Sequence, residues 1–297
     1  LLSQIKPDPP KEAAMSISYP AILDLKTEGQ AFSWGDRETM LYALGIGMGT
    51  DPMNADELPF VYENNLKAVP TQATVAAWGA GPMGKTGINY LMVVHGEQSV
   101  TFHKPMPTEA SITADSRIVG AYDKGPGKGA VIYTETVLKD AKTNEAIATL
   151  LGSTFARGDG GFGGPSDGAP VPHEVPTRAP DQSVDIPTKP DQALIYRLSG
   201  DRNPLHSDPA FATAAGFPRP ILHGLCTYGI TCRAVLQTYA HYDPAKIKSH
   251  AVRFSSPVFP GETITVDMWQ DGDVISFEAR VKDRGVTVIR NGKCVLG

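Results

Sequence analysis

Apolar and polar residues alternate in four segments near the end of the chain, 251–254, 263–269, 274–282 and 286–290. A period of two predicts antiparallel strands. Just upstream, residues 224–240 place Leu225, Cys226, Tyr228, Gly229, Cys232, Val235 and Leu236 around most of a helical circumference. That pattern predicts a largely buried helix. Residues 191–198 read as a shorter helix. Asp208 is placed to N-cap another, with Pro209 at its first position and Gly216 just past its end. One buried helix followed by several antiparallel strands implies a curved sheet wrapped around that helix, α+β in class.

The same order is written twice. The segment around Tyr42 lines up with that around Tyr196, Val100-Thr-Phe102 with Val252-Arg-Phe254, and Glu109 through Thr113 with Glu262 through Thr265. Val131 through Glu135 lines up with Val274 through Glu278. The offset drifts from 154 (Tyr42 to Tyr196) to 152 (Val100 to Val252) to 143 (Val131 to Val274), so loops differ while the order persists. Residues 15–157 form a first repeat and 184–297 a second, joined by a Gly/Pro-rich linker over 158–183 that has little apolar area to bury. Residues 1–14 are polar, Pro-rich and expected to fray. Edge-to-edge pairing of the copies would also shield strand edges from aggregation.

Composition narrows the class. With 41% apolar and 20% charged residues in 297, the chain reads as an ordinary globular protein of two domains. A formal net charge of −5 without a Lys/Arg block excludes nucleic acid as the main partner. No apolar run has membrane-spanning length, and the first thirty residues hold no signal-peptide core. Because the chain opens on Leu1, its natural start is expected to lie upstream. Cys226, Cys232 and Cys294 lack metal-ligand pairing and read as small core residues.

Candidate chemistry concentrates in residues 196–211. Asp201, Asn203 and His206 fall within six positions, across a Gly200/Pro204 break that continuous helix cannot span. An acid and a base of different intrinsic pKa, held on a stiff turn, suit proton transfer around one water molecule. The other reading is a polar loop, with Asn203 as the cap of an Asx turn. The repeat supplies an internal control. Aligning Tyr42 with Tyr196 sets Gly47 opposite Asp201, and the first copy lacks the acid–base pair. A purely structural role would keep the pair in both copies, so the asymmetry favours chemistry. No metal site is expected, and no Gly-x-Ser-x-Gly elbow or nucleotide-binding glycine loop is present.

The string Tyr196-x-Leu198-Ser199-Gly200-Asp201-x-Asn203-Pro204-Leu205-His206 resembles the signature of the (R)-specific enoyl-CoA hydratases. The run Pro220-Ile221-Leu222-His223-Gly224-Leu225 is similar to the MaoC-like dehydratase family that contains them. His95-Gly96-Glu97-Gln98 and Phe102-His103-Lys104-Pro105 resemble the non-catalytic half of two-domain enoyl-CoA hydratase 2, a unit also found in peroxisomal multifunctional enzymes. The resemblance implies a double hot-dog fold and a cofactor-free hydro-lyase acting on trans-2-enoyl-CoA. It implies that Asp201 and His206 hold one water over the double bond. One takes a proton as oxygen attacks C3, and the other supplies a proton to C2; His206 as base and Asp201 as acid is the favoured assignment, the reverse the alternative. Asn203 would orient water or acyl group, and Gly224 would be the oxyanion donor at the start of the buried helix.

Coenzyme A carries phosphates, so Arg253, Arg219 and Arg233 are candidate contacts at the pocket mouth. Tyr196 and His223 join the substrate-binding set, a hydrogen-bonded core position being the other reading of His223. Trp78, Met83, Tyr90, Leu91 and Met92 of the first repeat are candidates for an acyl tunnel, or simply core. The resemblance further implies a homodimer or part of a longer multifunctional chain, peroxisomal in a eukaryote and otherwise cytoplasmic. A hot-dog acyl-CoA thioesterase and a non-catalytic acyl-binding subunit are the competing functions.

Overall fold

Strand order is the same in the two halves of the molecule. The computed structural model describes residues 17–297. The expected N-terminal tail, the first two residues of the first repeat and the Leu91 side chain lie outside what it describes. Strands β1 (Lys26–Trp34), β2 (Val93–Phe102), β3 (Ala110–Asp123), β4 (Ala130–Asp140) and β5 (Ala146–Ala156) belong to the first repeat. Strands β6 (Gln182–Pro187), β7 (Ile247–Phe254), β8 (Thr263–Asp271), β9 (Val274–Val281) and β10 (Val286–Leu296) belong to the second. Among the described residues these ten make one sheet in the order β1-β3-β4-β5-β2-β7-β10-β9-β8-β6. Read from the outside inward, β1-β3-β4-β5-β2 and β6-β8-β9-β10-β7 are the same topology.

The seam is the antiparallel pair β2–β7, running from Glu97 opposite Arg253 to Thr101 opposite Ser249. Ser99 pairs with Ala251. The offset of 152 that relates Val100 to Val252 also relates Ser99 to Ala251, so the pseudo-twofold axis passes between them. Inner and outer faces alternate strictly along this seam. His250 and Val252 are buried under the helices, and Arg253 faces outward.

Helices α1 (Asp36–Gly45), α2 (Leu58–Val61) and α3 (Ala73–Ala76) lie in the first repeat; α4 (Gln192–Tyr196), α5 (Pro209–Ala214) and α6 (Gly224–Thr238) lie in the second. Asp208 caps α5 by accepting from the Ala210 and Phe211 N–H groups. In α6, eleven of fifteen residues are buried, as an apolar surface on all sides requires. Each such aliphatic or aromatic side chain contributes about 1.5–3 kcal/mol on burial. Its counterpart in the first repeat is short: a 3-10 turn, Pro70–Gln72, running into the four residues of α3. Tyr42 and Tyr196, equivalent residues of α1 and α4, meet with ring centroids 5.9 Å apart.

Three local readings differ from the sequence pattern. Strand β6 begins at Gln182, inside the stretch expected to be linker. It is an edge strand with Val184 and Ile186 as its only aliphatic residues, which leaves little alternation to detect. Strand β7 begins four residues earlier than the pattern predicts, at Ile247. Strand β10 continues past Asn291-Gly292, a dipeptide that reads as a turn; the register shifts between Arg290 and Lys293, so it is a bulge.

Candidate active site

The turn that carries Asp201 and His206 begins where the 3-10 turn Arg197–Ser199 stops at Gly200. Gly200 has φ 145°, and a Cβ there would lie 2.7 Å from the Trp78 side chain of the first repeat. Conformation and neighbour both demand glycine. Asp201 follows with one carboxylate oxygen fixed, since the Asn203 N–H donates to Oδ1 at 3.0 Å. The exposed Asn203 is itself a cap: its Oδ1 accepts from the Leu205 N–H and opens the 3-10 turn Pro204–His206. That turn sends the His206 ring inward, leaving it 8% exposed.

His206 Nε2 stands 3.8 Å from Asp201 Oδ2. This is too long for a direct hydrogen bond, and short enough for one water oxygen to contact both. His206 Nδ1 lies 2.9 Å from the Ile221 carbonyl oxygen. A carbonyl only accepts, which assigns the proton to Nδ1 and leaves the Nε2 lone pair facing Asp201. Burial holds the His206 pKa below its ordinary 6.5, outweighing the Ile221 hydrogen bond and the Asp201 charge that act the other way. At neutral pH the imidazole is an uncharged acceptor.

His223 supports this pair. Its ring stacks on His206 with centroids 3.7 Å apart and planes at 27°. Its Nε2–H donates to the main-chain oxygen of Asp201 at 3.0 Å. Burial, reinforced by the neighbouring His206, pushes its pKa down to about 3. Tyr196, 1% exposed, packs between Tyr42 and His223. It therefore buttresses the site from behind and offers no surface to a ligand, contrary to its reading as a substrate contact.

Gly224 opens α6 directly after His223, whose side chain makes no capping bond to the helix. The Cys226 N–H returns to the His223 carbonyl at 3.1 Å, which leaves the Gly224 and Leu225 N–H groups at the positive end of the helix dipole. The missing Cβ serves a neighbour rather than the ligand: it would touch the Phe254 ring at 3.3 Å.

The arginines separate. Arg253 lies on the outer face of the seam, opposite to Asp201 and His206, where it lines a cavity of about 300 Å³ with Lys293 and His173. Arg219 is exposed, donates to the Pro260 carbonyl at 3.2 Å and lies over the Phe259 ring. Arg233 is no ligand contact. It forms a buried ion pair with Glu57 at 2.7 Å, and its Nη1 would lie 3.2 Å from a Cβ at Gly47. Gly47 is the position equivalent to Asp201, so a cation from the second repeat occupies the place where the first repeat would carry its counterpart of that carboxylate. Of the tunnel candidates, Tyr90 and Met92 are exposed, and Met83 accepts from Thr134 Oγ1 at 3.4 Å.

Asp201, His206 and His223 place their ligand atoms within 4.8 Å of one another, spacing that a divalent cation would also accept. The geometry by itself marks a proton-transfer centre beside a helix N-terminus. Family models give it a lineage: a MaoC like domain matches residues 172–292, and an MFE-2 hydratase 2 N-terminal domain matches 32–158. A 3-hydroxyacyl-thioester dehydratase Y of Mycobacterium tuberculosis is 43% identical, the alignment covering 82% of this chain and 84% of the relative. The chain belongs to the MaoC-like hydratase 2 family. A solved MaoC-like dehydratase from Phytophthora capsici superposes with a TM-score of 0.83 at 35% identity, covering 93% of this chain and 96% of that one. A peroxisomal multifunctional enzyme type 2 of Mus musculus is 38% identical over 87% of this chain, which spans only 36% of that relative. The strands of both repeats join in one sheet around the helices, and the fold is that of MaoC-like double hot dogs.

One residue near the pair was not among the expected site residues. His95, on β2 of the first repeat, meets the Phe254 ring with centroids 4.8 Å apart; desolvation lowers its pKa, opposed by the Glu97 backbone, the Gln98 side chain and the nearby Asp201 charge. The quoted His95-Gly96-Glu97-Gln98 run was the available signal.

Proposed function

We propose that this chain reversibly hydrates trans-2-enoyl-CoA to (3R)-3-hydroxyacyl-CoA. The observation that carries the reading is the 3.8 Å gap between His206 Nε2 and Asp201 Oδ2, beside the uncapped start of α6. A water seated in that gap is polarised by the His206 lone pair. As its oxygen bonds to C3, His206 takes its proton and electron density moves through the double bond to the thioester oxygen. The Gly224 N–H stabilises that developing charge. The proton crosses the gap from the His206 imidazolium to the Asp201 carboxylate, and the carbonyl re-forms as C2 takes it from there. Both side chains are then back in their starting state. The thioester is the electron sink, and the chemistry calls on no cofactor.

A second cavity, of about 180 Å³, is lined by Trp34, Leu41, Val75 and Ala76 of the first repeat and by Leu198 and Ser199 of the catalytic turn. It is the place we assign to the acyl tail. In a eukaryotic host we place the enzyme in the peroxisome, following the name of the murine relative, and otherwise in the cytoplasm. It acts there as a homodimer or within a longer chain. No helix among the described residues is long and apolar enough to cross a membrane.

Crotonyl-CoA tests the reaction. Loss of the conjugated-thioester absorbance with no free thiol, and chiral analysis giving the 3R alcohol, is the expected result. Release of thiol means a thioesterase, and the 3S alcohol or no reaction overturns the proposal.

A further inference from the structure

Two side chains that line the smaller cavity hold polar atoms with nothing to bond. Gln72, at the end of the 3-10 turn that runs into α3, is 2% exposed, and its Oε1 has no hydrogen-bond partner. Ser199, on the turn that leads to Asp201, lines the same cavity, and its buried Oγ is also unpartnered. One comes from each repeat. Buried polar atoms in folded proteins are nearly always paired, so two orphans on one cavity call for a partner that comes from outside.

The orientation of the Gln72 amide is defined. Thr39 Oγ1 gives its one proton to the Thr108 carbonyl at 2.6 Å, so it can only accept from Gln72, at 3.0 Å. The amide nitrogen therefore faces Thr39, and the oxygen is the atom left over. Its setting is apolar. Val69 and Ala73, beside it in the chain, are fully buried, and Trp34, Val75 and Ala76 line the cavity. An apolar side chain at position 72 would suit those neighbours without leaving an acceptor unpaired. An amide oxygen can only accept, so the missing partner is a donor. The Glu38 carboxylate also lines the cavity, with Oε2 accepting the Gly35 N–H at 2.9 Å.

We propose that this cavity selects acyl thioesters whose tail carries a hydroxyl group, with Gln72 Oε1 accepting the hydroxyl proton and Ser199 Oγ bonding the hydroxyl oxygen. One neutral group then satisfies both orphans. A plain alkyl tail packs on the apolar wall but leaves Oε1 stranded. A tail ending in carboxylate meets Glu38 and is repelled. A few placed polar groups in a mainly apolar pocket are the usual source of such discrimination. The inference rests on the assignment of this cavity to the acyl tail, and deepens the hydratase reading by naming the tail.

The test separates tail recognition from chemistry. Saturated 6-hydroxyhexanoyl-, 8-hydroxyoctanoyl- and 10-hydroxydecanoyl-CoA cannot be hydrated, so their dissociation constants, set against those of the plain alkyl thioesters, read the tail site alone. Turnover of crotonyl-CoA, measured beside them, reads the hydratase, and either can fail without the other. At the length that reaches Gln72, wild type is expected to bind the hydroxylated thioester about 10-fold tighter than the alkyl one, with the ω-carboxy counterpart weakest of the three. Gln72→Leu is expected to reverse the order, losing about 10-fold on the hydroxylated tail and gaining on the alkyl one. Ser199→Ala narrows the wild-type preference about 3-fold. An alkyl preference of wild type at every length, or an equal change on both tails in Gln72→Leu, overturns the proposal. Should Gln72→Leu fold poorly by circular dichroism, Ser199→Ala decides, and an undiminished preference there overturns it.

Discussion

His206 and His223 lie ring on ring, and each spends one N–H on a main-chain carbonyl, that of Ile221 and that of Asp201. The Ile221 carbonyl fixes the tautomer of the His206 imidazole, and the stack holds its direction while linking it to the backbone that carries the Asp201 carboxylate. His223→Phe keeps a flat ring against His206 and deletes the N–H held by Asp201. The expected result is about a 10-fold fall in kcat, the worth of one positioning hydrogen bond, with the melting temperature little changed. Steady-state kinetics and a thermal melt on the same sample check it.

The pair itself is more sensitive. Asp201→Asn and His206→Ala are each expected to lower kcat by roughly 10²–10⁴-fold, the range for lost general acid–base catalysis. Circular dichroism should remain that of wild type. Equal losses of soluble protein and of turnover would mark both residues as structural.

Activity should respond to acid through His206. Its folded pKa lies below 6.5, so the base stays unprotonated as pH falls past that value and is lost only below it. The acid limb of kcat/KM for hydration is therefore expected below pH 6.5. The limb belongs to the coupled pair rather than to one residue. A limb centred above 6.5 contradicts the tautomer and burial described here.

Folding stability carries its own acid dependence. Burial pushes His223 and His250 down to about 3. Below about pH 6.5 the unfolded chain takes up protons that the folded chain refuses. This contribution is fully present above 6.5 and is lost as pH falls toward the folded values. The slope is roughly 1.4 kcal/mol per pH unit for each histidine. His250, whose Nε2 lies 3.0 Å from Thr231 Oγ1 beneath the seam, is replaceable by leucine. His250→Leu should flatten the urea midpoint between pH 6 and 4.

Glu57 and Arg233 offer a different measurement. Glu57 is 1% exposed, and it also accepts the Gly49 N–H at 2.9 Å. Glu57→Ala strands a guanidinium that is itself largely buried, so a loss of about 3–5 kcal/mol is expected in urea unfolding. Replacing both residues with methionine should recover most of it, because the cost lies in the unpaired charge.

Much of the second repeat was legible because its signals are local. Asp208, Pro209 and Gly216 bound α5 by capping chemistry alone, and the apolar circumference of α6 leaves no other place for it. The internal control at Gly47 and Asp201 also came from sequence, and the structure supplies its physical content in the Arg233–Glu57 pair. What escaped depends on three dimensions. Alternation assigns Arg253 to one face of a strand but cannot say which face holds the site. The run from His95 to Gln98 stood out as a motif, but the register shift between His95 and Glu97 that sets the face His95 takes is visible only in the paired strands. The few apolar residues of β6 gave it too little contrast to stand out from a Pro-rich stretch.

The hydrogen bonds between β2 and β7 have a consequence for how such a molecule can change. A duplicated half that gives up its own chemistry is ordinarily free to erode. Here it supplies the Trp78 wall, the partner of Arg233 and one flank of its twin's cleft, so deleting it would open a raw sheet edge and unroof the surviving reaction chamber. Redundancy has become dependence.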